Sequence, residues 1–280
     1  MKNTVLTLAK MKEKGEKISQ LTCYDYSTAR IMDESGVNMI LVGDSLGMTM
    51  QGYKDTLPVT VDEMIIYGRS VQRACSNAFV TIDMPFMSYQ ISPEQALLNA
   101  GRIMKETGAG SVKLEGGKDV CPQIKAITSA GIPVVAHVGM TPQSVNAMGG
   151  FKVQGKGESN ARRVLEDALA VQEAGAFAVT LECVPPKLAE LITRKLDIIT
   201  IGIGAGNGCD AQVLVWQDML GINPAIPKFV KQFADIGEQM KKAFVEFDKE
   251  VKSGDFPTDV NMFIKSDCSD EFLTQLDKEY

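Results

Sequence analysis

A (β/α)8 barrel is the fold this sequence predicts, and three observations carry it. Short β-rich runs alternate with helix-like segments from near the start. Several helical segments close on a glycine just before the next run. Eight runs spread over most of the 280 residues fit a closed barrel, for which about 250 residues is typical.

In order, the strand runs are residues 18–24, 39–42, 79–82, 111–114, 133–136, 177–181 and 198–201, with 212–215 as the candidate eighth. Between them, residues 93–107 and 159–174 carry apolar side chains at helical spacing. Gly36, Gly108, Gly131 and Gly175 each end a helical pattern, and a strand run follows within a few residues. That punctuation describes βα units and a parallel sheet. An open doubly wound sheet is the alternative the same pattern allows. Past Gly221 the pattern changes: residues 224–253 read as helix, with Phe229, Phe233, Ile236, Met240 and Phe244 spaced by three and four. No Pro/Gly/Ser-rich linker intervenes. The expectation is one domain, residues 1–280, with 224–280 as a C-terminal helical extension on the barrel or on a neighbouring subunit.

Composition narrows the function. The formal charge of −6 and the lack of a basic stripe argue against nucleic acid, whose phosphates reward clustered cations. The six cysteines form no C-x-x-C pair and several lie inside apolar runs, so a disulfide framework is not expected in a chain this large. No signal-like stretch opens the chain and no run nears the roughly 20 apolar residues that span a membrane. The expectation is a cytoplasmic protein with no membrane partner.

Strong polar groups fall where strand runs end. Asp44, Asp83, Glu115, His137 and Glu182 each follow an apolar run. In a barrel those ends share one face, where active sites are built. Any one acid there could merely cap the next helix, but five polar groups in succession argue for a common site. Converging carboxylates repel unless a cation neutralises them. A hard divalent ion such as Mg²⁺, which accepts one or two carboxylates plus waters and substrate oxygens, answers that need. His137 is the only histidine, which rules out zinc sites needing two or three. Lys113 lies two residues before Glu115, so both side chains face one side of the strand. Its ammonium would balance a carboxylate, with a Schiff-base role as the competing reading. The run Gly202-Ile203-Gly204-Ala205-Gly206 reads better as a tight turn over the site than as a phosphate cradle, since it opens no helix.

With these residues placed, the sequence resembles the ketopantoate hydroxymethyltransferase (3-methyl-2-oxobutanoate hydroxymethyltransferase) family. The match is carried by Leu41-Val42-Gly43-Asp44-Ser45-Leu46-Gly47-Met48, by Gly52-Tyr53 to Thr60, by Asp83-Met84-Pro85-Phe86-Met87-Ser88-Tyr89 and by Val112-Lys113-Leu114-Glu115-Gly116-Gly117. It continues through His137-Val138-Gly139-Met140-Thr141-Pro142-Gln143-Ser144, Gly149-Gly150-Phe151-Lys152, Leu181-Glu182-Cys183-Val184-Pro185 and the glycine run. These motifs follow one another collinearly over about residues 3–258.

The resemblance implies a (β/α)8 barrel of the phosphoenolpyruvate/pyruvate-binding group. It implies Asp44, Asp83 and Glu115 as the Mg²⁺ acids. Asp44, Ser45, Asp83, Lys113 and His137 would contact substrate, and Glu182 would be the general base. It further implies 5,10-methylenetetrahydrofolate as one-carbon donor, 3-methyl-2-oxobutanoate as acceptor, 2-dehydropantoate as product on the way to pantothenate, and an assembly of ten subunits. Three departures stand out: Tyr67 where relatives have histidine, Ala211 where glycine is usual, and a 256–261 segment lacking the usual Glu-His. They bear on subunit or folate contacts more than on the acids. Competing readings are another Mg²⁺-dependent lyase or mutase of the same barrel group and a non-catalytic carboxylate-binding barrel.

Overall fold

The computed structural model describes residues 2–263, 265 and 267–280. Its strands are β1 (Ile18–Thr22), β2 (Met39–Val42), β3 (Phe79–Asp83), β4 (Ser111–Glu115), β5 (Val134–Gly139), β6 (Ala178–Glu182), β7 (Ile199–Ile203) and β8 (Ala211–Leu214). All pair in parallel with their sequence neighbours, and β8 closes on β1. The open-sheet alternative is thereby excluded. The helices are α1 (Val5–Glu13), α2 (Tyr26–Glu34), α3 (Leu46–Thr49), α4 (Val61–Ala74), α5 (Pro93–Thr107), α6 (Cys121–Ser129), α7 (Val145–Met148), α8 (Glu158–Glu173), α9 (Pro186–Lys195), α10 (Trp216–Met219), α11 (Ile236–Ser253) and α12 (Asp270–Glu279). None is long and apolar enough to cross a membrane.

The period of two along each strand separates two cores. Ile40, Val42, Ile82, Leu114, Ala136, Val179 and Leu181 pack beneath the helices. Their alternates Met39, Phe79, Val135, Ala178 and Ile199 fill the lower barrel, where Leu8 of α1 joins them. Burying Leu8 fully contributes roughly 1.5–3 kcal/mol, enough to hold α1 across the barrel floor. Above this layer the inward positions turn polar: Thr81 and Ser111 share a 2.8 Å hydrogen bond inside the barrel. Further along the same inward rows, Asp83, Lys113, Glu115, His137 and Glu182 reach the upper end.

The expected glycine caps hold. Gly36, Gly108, Gly131 and Gly175 all have positive φ, and Gly108 caps α5 in the left-handed conformation. At its start α5 has Ser92 accepting from Gln95 N–H and Pro93 in the first turn.

The helix expected over 224–253 begins only at Ile236. Two prolines, Pro224 and Pro227, interrupt the earlier part. Tertiary bonds then take its backbone donors: Phe233 N–H reaches Met219 O at 2.7 Å and Ile236 N–H reaches Leu220 O at 2.8 Å. Phe229 consequently turns towards the barrel mouth instead of joining a helical stripe. α11 itself buries none of its residues.

Candidate active site

Strand register assembles the site. Pairing of β3 with β4 sets Asp83 beside Lys113, and pairing of β4 with β5 sets Glu115 beside His137. Lys113 Nζ donates to Asp83 Oδ1 at 2.7 Å, with both side chains buried. Asp44 stands just beyond β2 on a turn, and its backbone N–H donates to Asp83 Oδ2 at 3.1 Å. A Cβ at Gly43 would lie 2.8 Å from Ser45 Oγ, so a glycine there lets the turn close tightly. Ser45 Oγ lies 2.8 Å from Tyr24 Oη, which fixes its hydroxyl. His137 Nε2 approaches Glu182 Oε2 at 3.2 Å and Nδ1 approaches Glu115 Oε1 at 3.6 Å. Among the described residues neither ring nitrogen makes an aligned hydrogen bond, and the His137 side chain lines the cavity.

Glu182 sits at the end of β6 with its side chain 15 % exposed. It is held from behind by Gly139, its register partner on β5. Gly139 has φ +94°, and any Cβ there would strike the Glu182 carbonyl oxygen.

Gln143 and Tyr89 belong to the site although no role was read for them in the sequence. Gln143 Nε2 donates to Asp44 Oδ2 at 2.9 Å and to Met84 O at 3.0 Å, while its backbone N–H donates to Glu115 Oε2 at 2.9 Å. Tyr89 accepts from Glu115 N–H at 3.1 Å, which leaves its own proton for Gln143 Oε1 at 2.7 Å. Gln143 thus ties Asp44 to Glu115, its side-chain amide holding one acid and its backbone N–H the other. Both residues stand inside the motifs quoted above; a neutral polar side chain near a strand end was the only available signal. Thr56 was also missed: it lines the cavity, and its buried Oγ1 makes no hydrogen bond of good geometry among the described residues.

Charge is crowded here. Burial first, then the Asp83 charge, pushes the Asp44 carboxyl up to about 7. Burial and Asp44 likewise raise Glu115 well above the carboxylate range. Burial alone would depress the Lys113 ammonium, but Asp83, Glu115 and Asp44 outweigh it and hold the amine protonated. A protonated amine is a poor nucleophile, which argues against a Schiff base. Burial lowers His137, helped by the Lys113 charge and opposed by Glu182, so the imidazole is neutral near pH 7.

The donors suit a hard divalent cation that completes its shell with water and substrate oxygens. Among the described residues, no group of three or more His, Cys, Asp or Glu side chains could hold a metal unaided. Asp44 and Asp83 are linked through one hydrogen bond, and both open on the cavity with Glu115. An acid cluster balanced by a single lysine, with one carboxyl raised to about 7, is short of positive charge. Oxygen donors and surplus anion together fit Mg²⁺.

The cavity, about 260 Å³, is polar at its floor and apolar around its walls, where Leu41, Met48, Ile203, Val213, Val215 and Phe229 contribute. The glycine run is a tight turn. Gly204 and Gly206 have φ +62° and +78°, and Cβ atoms there would lie 2.9 Å from the Phe229 ring and 2.7 Å from Pro186. Close packing therefore accounts for these glycines. Of the departures, Tyr67 packs against the core beneath α4 and Ala211 is buried in the lower barrel; neither lines the cavity.

Comparison with known proteins agrees with this architecture. The family model described as ketopantoate hydroxymethyltransferase matches residues 2–259. The 3-methyl-2-oxobutanoate hydroxymethyltransferase of Clostridium novyi (strain NT) is 60 % identical over 264 residues, covering 94 % of this chain and 96 % of the relative. That of Enterococcus faecalis (strain ATCC 700802 / V583) is 57 % identical, covering 95 % and 98 %. Among solved structures, phosphonopyruvate hydrolase in complex with oxalate and Mg²⁺ superposes with a TM-score of 0.61 at 11 % identity, over 99 % of this chain and 95 % of that one. A 2,3-dimethylmalate lyase of the PEP mutase/isocitrate lyase superfamily does so with 0.59 at 14 % identity, over 100 % and 99 %. These two likenesses concern the fold alone. Near-complete coverage at such identity, together with the family model, decides the matter: this chain is an enzyme that belongs to the ketopantoate hydroxymethyltransferase family of transferases.

Proposed function

We propose that the enzyme transfers a hydroxymethyl unit from 5,10-methylenetetrahydrofolate to 3-methyl-2-oxobutanoate, giving 2-dehydropantoate for pantothenate synthesis in the cytoplasm. The observation that carries this reading is the division of charge within one cavity. An anion cluster with a buried lysine lies on one side, and Glu182, paired with no lysine or arginine among the described residues, lies on the other beside a neutral imidazole. In this reading Asp44, Asp83 and Glu115 would hold Mg²⁺. When bound, Mg²⁺ supplies Lewis-acid polarisation of the substrate's oxo group, which acidifies the neighbouring C3–H.

The chain's own groups do the rest. Lys113 balances the substrate carboxylate, and Ser45, held by Tyr24, donates a hydrogen bond to it. His137, neutral, donates one N–H to a substrate oxygen on which negative charge develops. Glu182 takes the C3 proton. The C3 carbon then bonds to the donor's methylene carbon as that carbon's bond to N10 breaks and N10 takes up the proton removed from C3. Hydrolysis of the remaining bond to N5 leaves the water's hydroxyl on the carbon and its other proton on the departing tetrahydrofolate. The apolar walls exclude bulk water around these steps. The exposed Met240, Phe244, Phe247 and Val251 of α11 are apolar surface of the kind a subunit interface covers, in keeping with the ten-subunit assembly that the resemblance implies.

A substrate panel with and without the folate donor tests the reading. Product should form only with 3-methyl-2-oxobutanoate, methylenetetrahydrofolate and Mg²⁺ together. Turnover of a 2-oxo acid without folate would instead identify a lyase or mutase, and no turnover at all a binding barrel.

A pH dependence follows from Asp44. Its carboxyl is raised from 3.8 to about 7, so between those values the metal-free fold binds a proton that the unfolded chain does not. The metal-free protein therefore loses stability as pH rises through that window. Mg²⁺ must displace the same proton, so its apparent affinity should fall by up to about tenfold per pH unit below 7. Thermal denaturation at pH 5.5 and 8.0 should show Mg²⁺ stabilising the protein far more at pH 8.0. An equal shift at both would contradict the assigned ionisation.

A further inference from the structure

One buried acid plays no part in the chemistry above. Asp218 on α10 is 8 % exposed and lines the same cavity. Its Oδ1 accepts from Asn223 Nδ2 at 2.6 Å, and its Oδ2 takes no hydrogen bond among the described residues. Burial raises its pKa, opposed only by the Asn223 bond. Asp218 has the wrong charge for the 2-oxo acid, whose carboxylate belongs near Lys113. An acid there calls for a ligand edge that carries hydrogen-bond donors.

The neighbouring wall is aromatic and open. Phe229 lines the cavity at 38 % exposure, from the non-helical segment after α10. Its ring rests on the backbone of the turn after β7, where only the missing Cβ of Gly204 leaves room. A ring held this way offers a flat face with little freedom left to lose on binding.

We propose that Asp218 and Phe229 seat the bicyclic pterin of the one-carbon donor. The pterin's ring N–H and the adjacent exocyclic amino group form a planar two-donor edge that a carboxylate accepts side by side. Its flat face stacks on the Phe229 ring. The inference rests on the folate-dependent reading and goes beyond it by naming the donor's subsite. The two substrates then meet charges of opposite sign: the 2-oxo acid meets Lys113 on β4, and the pterin meets Asp218 on α10.

The test separates the two half-reactions. Removal of the C3 proton needs no folate, so exchange of C3–H in D₂O can be followed by NMR with the 2-oxo acid and Mg²⁺ alone. Asp218→Asn should keep that exchange within about twofold of the unsubstituted enzyme. It should raise KM for methylenetetrahydrofolate by about 10- to 100-fold, the range for a lost charge-assisted hydrogen bond, and Phe229→Ala should raise that KM as well. Asn223→Ala is the structural control: it removes the Asn223 bond but leaves the carboxylate, and should move the donor KM by less than about threefold. The proposal is overturned if the donor KM stays unchanged in Asp218→Asn. It is also overturned if exchange falls in step with transfer, or if Asn223→Ala reproduces the whole defect. Product formation without folate by the unsubstituted enzyme would sink the folate reading itself, an outcome visible before any variant is made.

Discussion

Replacing Glu182 by glutamine should slow C3–H exchange of 3-methyl-2-oxobutanoate by about 10²- to 10⁴-fold, the usual contribution of a positioned general base. Glutamine preserves shape and can still meet His137, but it cannot accept a proton. Gly139 and the register of β5 on β6 hold the main chain of residue 182, so the fold should be undisturbed. Mg²⁺ binding should also persist, because Glu182 is not a ligand in the proposed arrangement. NMR exchange rates beside a metal titration check both halves. Exchange near the normal rate would remove Glu182 from the chemistry, and a matching loss of metal affinity would make it a ligand.

Replacing Lys113 by methionine should destabilise the metal-free protein by about 3–5 kcal/mol at pH 8, the cost of leaving a buried charge unpaired. That corresponds to a fall in Tm of roughly 10 °C. Methionine fills much the same volume, so the loss is electrostatic: Asp83 loses its 2.7 Å partner, and Glu115 and Asp44 lose the nearby positive charge. The deficit should shrink at pH 5.5, where Asp44, with a carboxyl near 7, takes up a proton and relieves part of the repulsion. Differential scanning calorimetry at the two pH values measures this. A Tm unchanged at pH 8 would mean that water, and not Lys113, balances the cluster.

Much of the barrel was legible because its rules are local. Strands buried on both faces read as apolar runs, and Gly36, Gly108, Gly131 and Gly175 mark helix ends because positive φ suits them. The polar groups stood out because Asp44, Asp83, Glu115, His137 and Glu182 interrupt apolar runs at one end. α1 was not foreseen: its single buried residue, Leu8, has meaning only once a barrel floor exists to receive it.

The sequence by itself determined the family, the alternation of strand and helix, and the set of polar residues at the strand ends. Their order along the chain was enough, because a parallel barrel brings every strand end to one face. Only the tertiary structure decided how those residues divide the work. Strand register paired Asp83 with Lys113 and Glu115 with His137. Burial then raised Asp44 and kept His137 neutral. Gln143 and Tyr89 entered the site through contacts across long stretches of chain, and Asp218 through the position of α10 beside the cavity. Phe229, at helical spacing in the sequence, became part of the cavity wall because prolines and cross-chain hydrogen bonds outweighed its local pattern. Periodicity reports a residue's neighbours along the chain, whereas a site depends on partners that folding alone brings within hydrogen-bonding distance.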